Sequence, residues 1–102
     1  SLESYIEVRD YHWSAVRPKV TAAPNYPTEA KKLRIEGRCQ VLFYIDEGGT
    51  PLSIDIAEDD DCPSVFHSNA LKAANKWRFE PMEADGKAVK ATFTLKLRFK
   101  IK

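Results

Sequence analysis

The sequence predicts an α+β domain: two helices packed on one face of a small antiparallel three-stranded sheet, with the last strand at its edge. Three observations carry this. Residues 37–46 and 52–56 alternate apolar and polar on either side of Glu47-Gly48-Gly49-Thr50, the pattern of a β-hairpin with glycines free to turn. Phe66, Ala70, Ala73 and Trp77 then recur at i, i+4, i+7 and i+11, one apolar stripe of helical period. Finally Ala91, Phe93, Leu95, Leu97, Phe99 and Ile101 alternate without a fault against Thr92, Thr94, Lys96, Arg98 and Lys100. The second and last strands, linked by the main helix, run parallel with the first strand between them. This is a split βαβ order with a right-handed crossover, and it leaves the last strand outermost. At 102 residues the chain is one small domain with room for one modest core.

Residues 1–23 are read as a partly ordered arm and linker, and 24–102 as the domain. Tyr5, Ile6, Val8, Tyr11, Trp13 and Val16 make the arm too aromatic for a solvated tether, although they follow neither period. Pro18, Pro24 and Pro27 hold the entry segment extended. Thr28 is placed to cap a short helix over about residues 29–35, stopped by Gly37. Along the first strand Cys39, Val41, Phe43 and Ile45 face the core. Glu58-Asp59-Asp60-Asp61 reads as a solvated acidic loop, with a calcium site as the lesser alternative because EF-hand spacing is missing. Pro63 and Ser64 start the main helix, Lys72, Lys76 and Arg78 suit the negative end of its dipole, and Pro81 forbids continuation.

Composition narrows function. Sixteen basic and fifteen acidic residues leave a net charge of +1, which argues against nucleic-acid binding driven by bulk charge. A single-strand binder using aromatics on an open sheet face is disfavoured further by the polar outer face of the last strand. No apolar run approaches a membrane span, and no signal peptide opens the chain. Ser1-Leu2-Glu3 lacks an initiator Met, so the chain is expected to be an excised piece whose anchor lies elsewhere. Cys39, Cys62 and His67 are too few for a zinc site, and no glycine-rich phosphate loop is present. A Cys62–His67 nucleophilic pair has no orienting group in view. No enzyme and no cofactor are expected.

Two features remain as candidates. The last strand is long and free of proline, so an outer edge there would carry a row of unpaired main-chain groups protected only by lysine and arginine. Cys39 and Cys62 are open to three readings: a disulfide, half a metal site, or two buried thiols. With the turn near Gly48-Gly49, Cys39 lies opposite about residue 58, and a short doubling back brings Cys62 into range. A bridge would close a loop of just over twenty residues, worth about 3 kcal/mol in the chain-entropy estimate.

Tyr26-Pro27, Ala30, Ile35-Glu36-Gly37, the run Val41 to Asp46, Gly48-Gly49, and Trp77-Arg78-Phe79-Glu80-Pro81 occur in an order and spacing that resemble the C-terminal domain of the TonB energy-transducer family, over residues 24–101. The resemblance implies a periplasmic module of an inner-membrane-anchored bacterial protein. Such modules capture the TonB box of outer-membrane receptors by strand addition and drive uptake of siderophores, haem or cobalamin. ExbB and ExbD are then engaged by an N-terminal segment outside this chain. Carried across residue by residue, the pairing segment is Leu95, Lys96, Leu97, Arg98, Phe99, Lys100 and Ile101. The receptor-contacting segment before Tyr26-Pro27 is Ala22, Ala23, Pro24 and Asn25. Ala23 stands where many members carry Gln, which departs from the pattern. Arg34 either pairs with a receptor carboxylate or stays solvated, and Trp77 reads as core. The cysteine pair is a second departure; the implied periplasm permits a Cys39–Cys62 disulfide. An edge-to-edge homodimer is a further expectation. A TolA-like or other structural or regulatory periplasmic domain of the same fold is the alternative.

Overall fold

The longest period-two stretch becomes the longest strand. The computed structural model describes residues 8–57 and 59–101; expectations placed on Tyr5, Ile6, Glu58 and Lys102 lie outside these. In chain order the strands are β1 (Val8–Asp10), β2 (Pro18–Val20), β3 (Gly37–Ile45), β4 (Pro51–Ile56), β5 (Arg78–Phe79), β6 (Met82–Ala84) and β7 (Lys87–Phe99). Helices α1 (Thr28–Lys32) and α2 (His67–Ala74) interrupt them, with single 3-10 turns at Trp13–Ala15 and Ser64–Phe66.

β3 lies between β4 and β7 and is antiparallel to both, so β4 and β7 run parallel across it as the split βαβ order requires. The pairing of β3 with β7 is long and regular, from Gly37 opposite Phe99 to Ile45 opposite Ala91. Three strands are too few, however. At thirteen residues β7 outruns the nine of β3, and its overhang pairs with β6, Met82 opposite Val89 through Ala84 opposite Lys87. The arm adds β1, parallel to β7 with Val8 opposite Lys90, Arg9 opposite Ala91 and Asp10 opposite Thr92. The last strand is therefore an edge over only part of its length. A separate ribbon joins β2 to β5, bringing the segment after the arm against the chain that leaves α2.

Alternation explains the core. Cys39, Val41, Phe43 and Ile45 of β3, with Val89, Ala91, Phe93, Leu97 and Phe99 of β7, are buried under the helices. Five phenylalanines, at 43, 66, 79, 93 and 99, are almost wholly enclosed; each contributes roughly 1.5–3 kcal/mol by leaving water. They meet in two aromatic groups. Phe43 stacks on Phe93 at 5.4 Å with Phe79 edge-on to both, and Phe66 stacks on Phe99 at 4.2 Å. α2 has eight residues, too short to hold in water alone. Its buried Ala70, Ala73 and Ala74 let it lie close to the sheet, and packing stabilises it.

The helix boundaries differ from expectation. Thr28 is the first residue of α1, after Pro27 at the N-cap, and makes no side-chain cap. The helix ends at Leu33, followed by Arg34 in the left-handed region at φ 56°, where the Ile35 N–H donates to the Ala30 carbonyl. Gly37 does not stop the helix; a Cβ there would sit 2.8 Å from the Asp61 carbonyl and 3.0 Å from the Phe66 ring. Its role is close approach. Gly49, at φ 86°, combines both constraints, since a Cβ would fall 1.9 Å from the Phe79 carbonyl oxygen. The expected helical stripe is also shorter: Trp77 lies beyond the end of α2.

Candidate functional site: the outer edge of the last strand

The site is a length of backbone. Along a strand, main-chain groups of successive residues point alternately to the two neighbours. The Tyr11 N–H donates to the Thr92 carbonyl at 2.9 Å, which fixes the phase: Thr92 faces away from β3. Thr94, Lys96 and Arg98 share that phase, so their N–H and C=O groups line the outer edge. Phe93, Leu95, Leu97 and Phe99 turn theirs to β3. Beside residues 90–92 the outer edge is taken by β1, tightened by the Thr92 hydroxyl donating to Asp10 Oδ1 at 2.8 Å. From Phe93 to Phe99 no strand among the described residues covers it.

Side chains at the edge divide by parity. Leu97 and Phe99 are buried and Leu95 is half-buried, so they hold the strand to its core. Lys96, Arg98 and Lys100 are exposed. Arg38 and Arg98 stand directly opposite each other on β3 and β7, an arrangement that like charge disfavours. An open cleft of roughly 600 Å³ at this end interleaves Glu36, Asp60 and Asp61 with Arg38, Arg98 and Lys100. Ile101 lies past the end of β7, and its N–H donates to Glu36 Oε2 at 2.7 Å. The pairing segment therefore stops at Phe99, two residues short of the expected Ile101.

The segment before Tyr26-Pro27 is fastened by side chains donating to its carbonyls. Trp77 Nε1 donates to the Ala22 carbonyl at 2.9 Å, and Asn69 Nδ2 to that of Asn25 at 2.8 Å. Ala23 and Asn25 are exposed, while Pro24, Tyr26 and Pro27 are half-buried. The Tyr26 hydroxyl donates to the Ile35 carbonyl, and its ring lies edge-on to Phe66 at 5.7 Å and Phe99 at 5.9 Å. Burial first, and the neighbouring Glu36 carboxylate second, raise the Tyr26 hydroxyl above its ordinary pKa. Tyr26 thus ties the entry segment to the far end of β7. Arg34 is exposed at the end of α1, and the contacts joining its neighbours to β7 run through Tyr26 and Glu36.

Cys39 and Cys62 are joined by a disulfide, with Cα atoms 4.8 Å apart. The nucleophilic pairing of Cys62 with His67 is thereby excluded, because the sulfur is committed. His67 instead donates from Nε2 to the Cys62 carbonyl at 3.1 Å. In the acidic loop Asp59 Oδ1 accepts from the Asp61 N–H, and among the described residues no group of three acidic, His or Cys side chains is placed to hold a metal.

A free strand edge on an α+β domain is a shape many proteins share, and ancestry decides more. The family model described as the Gram-negative bacterial TonB protein C-terminal matches residues 22–101. The chain belongs to the TonB C-terminal family. Protein TonB of Pseudomonas aeruginosa is 38% identical over 89 residues, covering 86% of this chain and 25% of that protein. Protein TonB of Yersinia enterocolitica is 35% identical over 63 residues, 62% of this chain and 24% of the relative. The chain thus spans about a quarter of the length of these curated relatives. Of solved structures, the solution NMR structure of the Pseudomonas aeruginosa TonB C-terminal domain matches with a TM-score of 0.68 at 36% identity, over 87% of this chain and 89% of that one. The TonB2 protein of Vibrio anguillarum matches with a TM-score of 0.61 at 32% identity, over 84% and 81%. The α+β fold is one this TonB domain shares with both.

Sequence reasoning placed the strand and read the arm as a segment that could dock on the domain, but did not set it on this edge. The signal was the density of apolar residues in the arm, with Ile6 and Val8 two apart, but three residues are too few to establish a period.

Proposed function

We propose that this domain is the periplasmic receptor-binding end of a TonB-type energy transducer. It captures the TonB box of outer-membrane transporters by strand addition along Phe93 to Phe99 and passes force to them for uptake of siderophores, haem or cobalamin. The observation that carries this reading is the outward row of Thr94, Lys96 and Arg98 main-chain groups on a strand without proline. Family membership supports it. Main-chain pairing supplies affinity to an extended peptide. Because the odd-numbered side chains are committed to the core, discrimination falls to Lys96, Arg98 and Lys100 and to the fastened segment Ala23 to Pro27. Arg34 contributes a cation near that segment. Nothing in this role asks the domain for covalent chemistry or a cofactor. An inner-membrane anchor and the ExbB and ExbD contacts belong to parts of the parent protein outside this chain, and a homodimer would use the same edge.

The test is titration of isotope-labelled domain with a TonB-box peptide. Amide shifts are expected in residues 93–99 and around Pro24–Pro27. Shifts clustering on the acidic loop, or no binding at millimolar peptide, would favour a structural domain of the TolA kind.

A further inference from the structure

β1 occupies part of the acceptor edge, and how it is held suggests that it leaves. Its pairing to β7 spans three residues, whereas β3 pairs with β7 over nine. Arg9 and Asp10 are exposed, and of the described side chains in this segment only Tyr11, half-buried, packs against the core. Firmer anchoring of the arm comes further on, where Val16 is buried, the Arg17 carbonyl accepts from the Glu80 N–H, and β2 pairs with β5. Between β1 and that anchor lies a turn at Trp13–Ala15 in which no residue is buried. Segments with few buried contacts open at a small fraction of the free energy of global unfolding. The β1 pairs are thus separable from the domain at a defined break.

Resting on the reading of β7 as a receptor-binding edge, we infer that Val8 to Tyr11 is a displaceable internal occupant of that edge. The full acceptor runs from Lys90 to Phe99, and an extended peptide longer than the open stretch takes it by evicting the arm. The site then has two grades. A short peptide pairs along Phe93 to Phe99 beside the docked arm; a longer one competes with it. Tension entering from the N-terminal side of the chain meets the β1 pairs before any other described element, so pulling and peptide binding favour the same displaced state. A binding-competent state that is only fractionally populated weakens apparent affinity by that fraction, and releasing the competitor restores it.

Tyr11→Pro removes the N–H that bonds Thr92 while leaving Val16, β2 and β7 untouched. A TonB-box peptide long enough to span ten residues should bind this variant roughly tenfold more tightly than the wild type, the lost occupancy fraction being regained. Its amide shifts should extend from 93–99 back to 90–92, with Tm lowered by only a few degrees, since Tyr11 is half-buried. Tighter binding of this kind supports eviction. Unchanged affinity with shifts confined to 93–99 in both proteins would overturn the inference while leaving the receptor-binding reading intact. If neither protein binds that peptide, the receptor-binding reading fails, and the occupant is then judged by two measurements without it. In the wild type the Tyr11 amide should exchange with solvent orders of magnitude faster than that of Val41. A synthetic peptide of residues 5–12 should bind the edge of Tyr11→Pro and shift Thr92. Exchange of Tyr11 only at the rate of global unfolding, or no binding of that peptide, would mark β1 as a fixed part of the sheet.

Discussion

Arg34 separates a folding role from a binding role at a single side chain. It occupies the left-handed region at φ 56° where α1 ends, a conformation that costs a non-glycine residue about 1 kcal/mol. Its own N–H donates to the Lys31 carbonyl, so the backbone geometry is what the helix end needs. Arg34→Gly should therefore stabilise the domain by about 0.5–1 kcal/mol in chemical denaturation. If the guanidinium also contacts a receptor carboxylate, the same variant should bind peptide or receptor more weakly despite being more stable. Equal binding would assign the arginine to the solvent. Tyr26 offers a second reading at this scale, through pH. Its folded-state pKa is raised, so the neutral phenol is favoured by folding; the associated stability is whole below about pH 10, the unfolded value, and is lost as pH rises through the folded pKa. Ultraviolet titration should show an ionisation above the ordinary tyrosine value, and Tyr26→Phe should remove that late step. The variant loses the bond to the Ile35 carbonyl as well, so it should also be less stable than the wild type in denaturation at neutral pH.

At the scale of elements, β7 invites a comparison of neighbouring positions. Lys96 turns its N–H to the outer edge, while Leu97 turns its own to β3 opposite Cys39. Lys96→Pro should thus weaken a strand-adding peptide by tenfold or more and cost the fold little beyond local backbone constraint. Leu97→Pro should break the central ladder and lower stability by about 3 kcal/mol or more. Reversal of the two effects, read by peptide titration and by denaturation, would mean that the register is shifted by one residue. The strand itself was legible because eleven residues of unbroken alternation admit few other structures. The hairpin was legible from its glycines, although Gly49 is required as much by the Phe79 carbonyl crowding it as by its φ. What escaped were the short strands that form only through distant pairing. The two- and three-residue strands β2, β5 and β6 exist only because another segment lies alongside. The arm shows no period because it makes one short strand and then one turn. Arg34 was invisible as a helix stop because only geometry distinguishes it from any other exposed arginine. Tyr26-Pro27, by contrast, was marked as functional from resemblance alone, and the structure gives it a physical office: its ring joins the entry segment to Phe99.

For the molecule as a whole, the disulfide is the one covalent constraint among contacts that are otherwise reversible. It links the core face of β3 to Cys62, two residues before the Ser64–Phe66 turn, so the acidic loop and the start of α2 are held to the sheet together. The β-hairpin register made this partly readable beforehand. Val41 stands opposite Ile56 and the Ala57 N–H donates to the Gln40 carbonyl, which carries the return chain to the neighbourhood of Cys39; the turn closed by the Cys62 N–H on the Asp59 carbonyl covers the rest. With a sequence separation of 23, the bridge should stabilise by about 3 kcal/mol through the unfolded chain. The variant Cys39→Ala/Cys62→Ala should accordingly melt roughly 10–20 °C lower, with a share of that loss from the small voids left where both sulfurs are buried. Labelling of unreduced, denatured wild type should find no free thiol. Both sulfurs lie in the core, whereas the proposed peptide edge is main chain on the far side of β7. Below its own melting point the variant should therefore bind a TonB-box peptide with the affinity of the wild type. Equal melting temperatures with and without the bridge would show that the loop is already ordered by packing around Phe66. A binding defect at a temperature where the variant is folded would show instead that the bridge sets the position of β7 through β3.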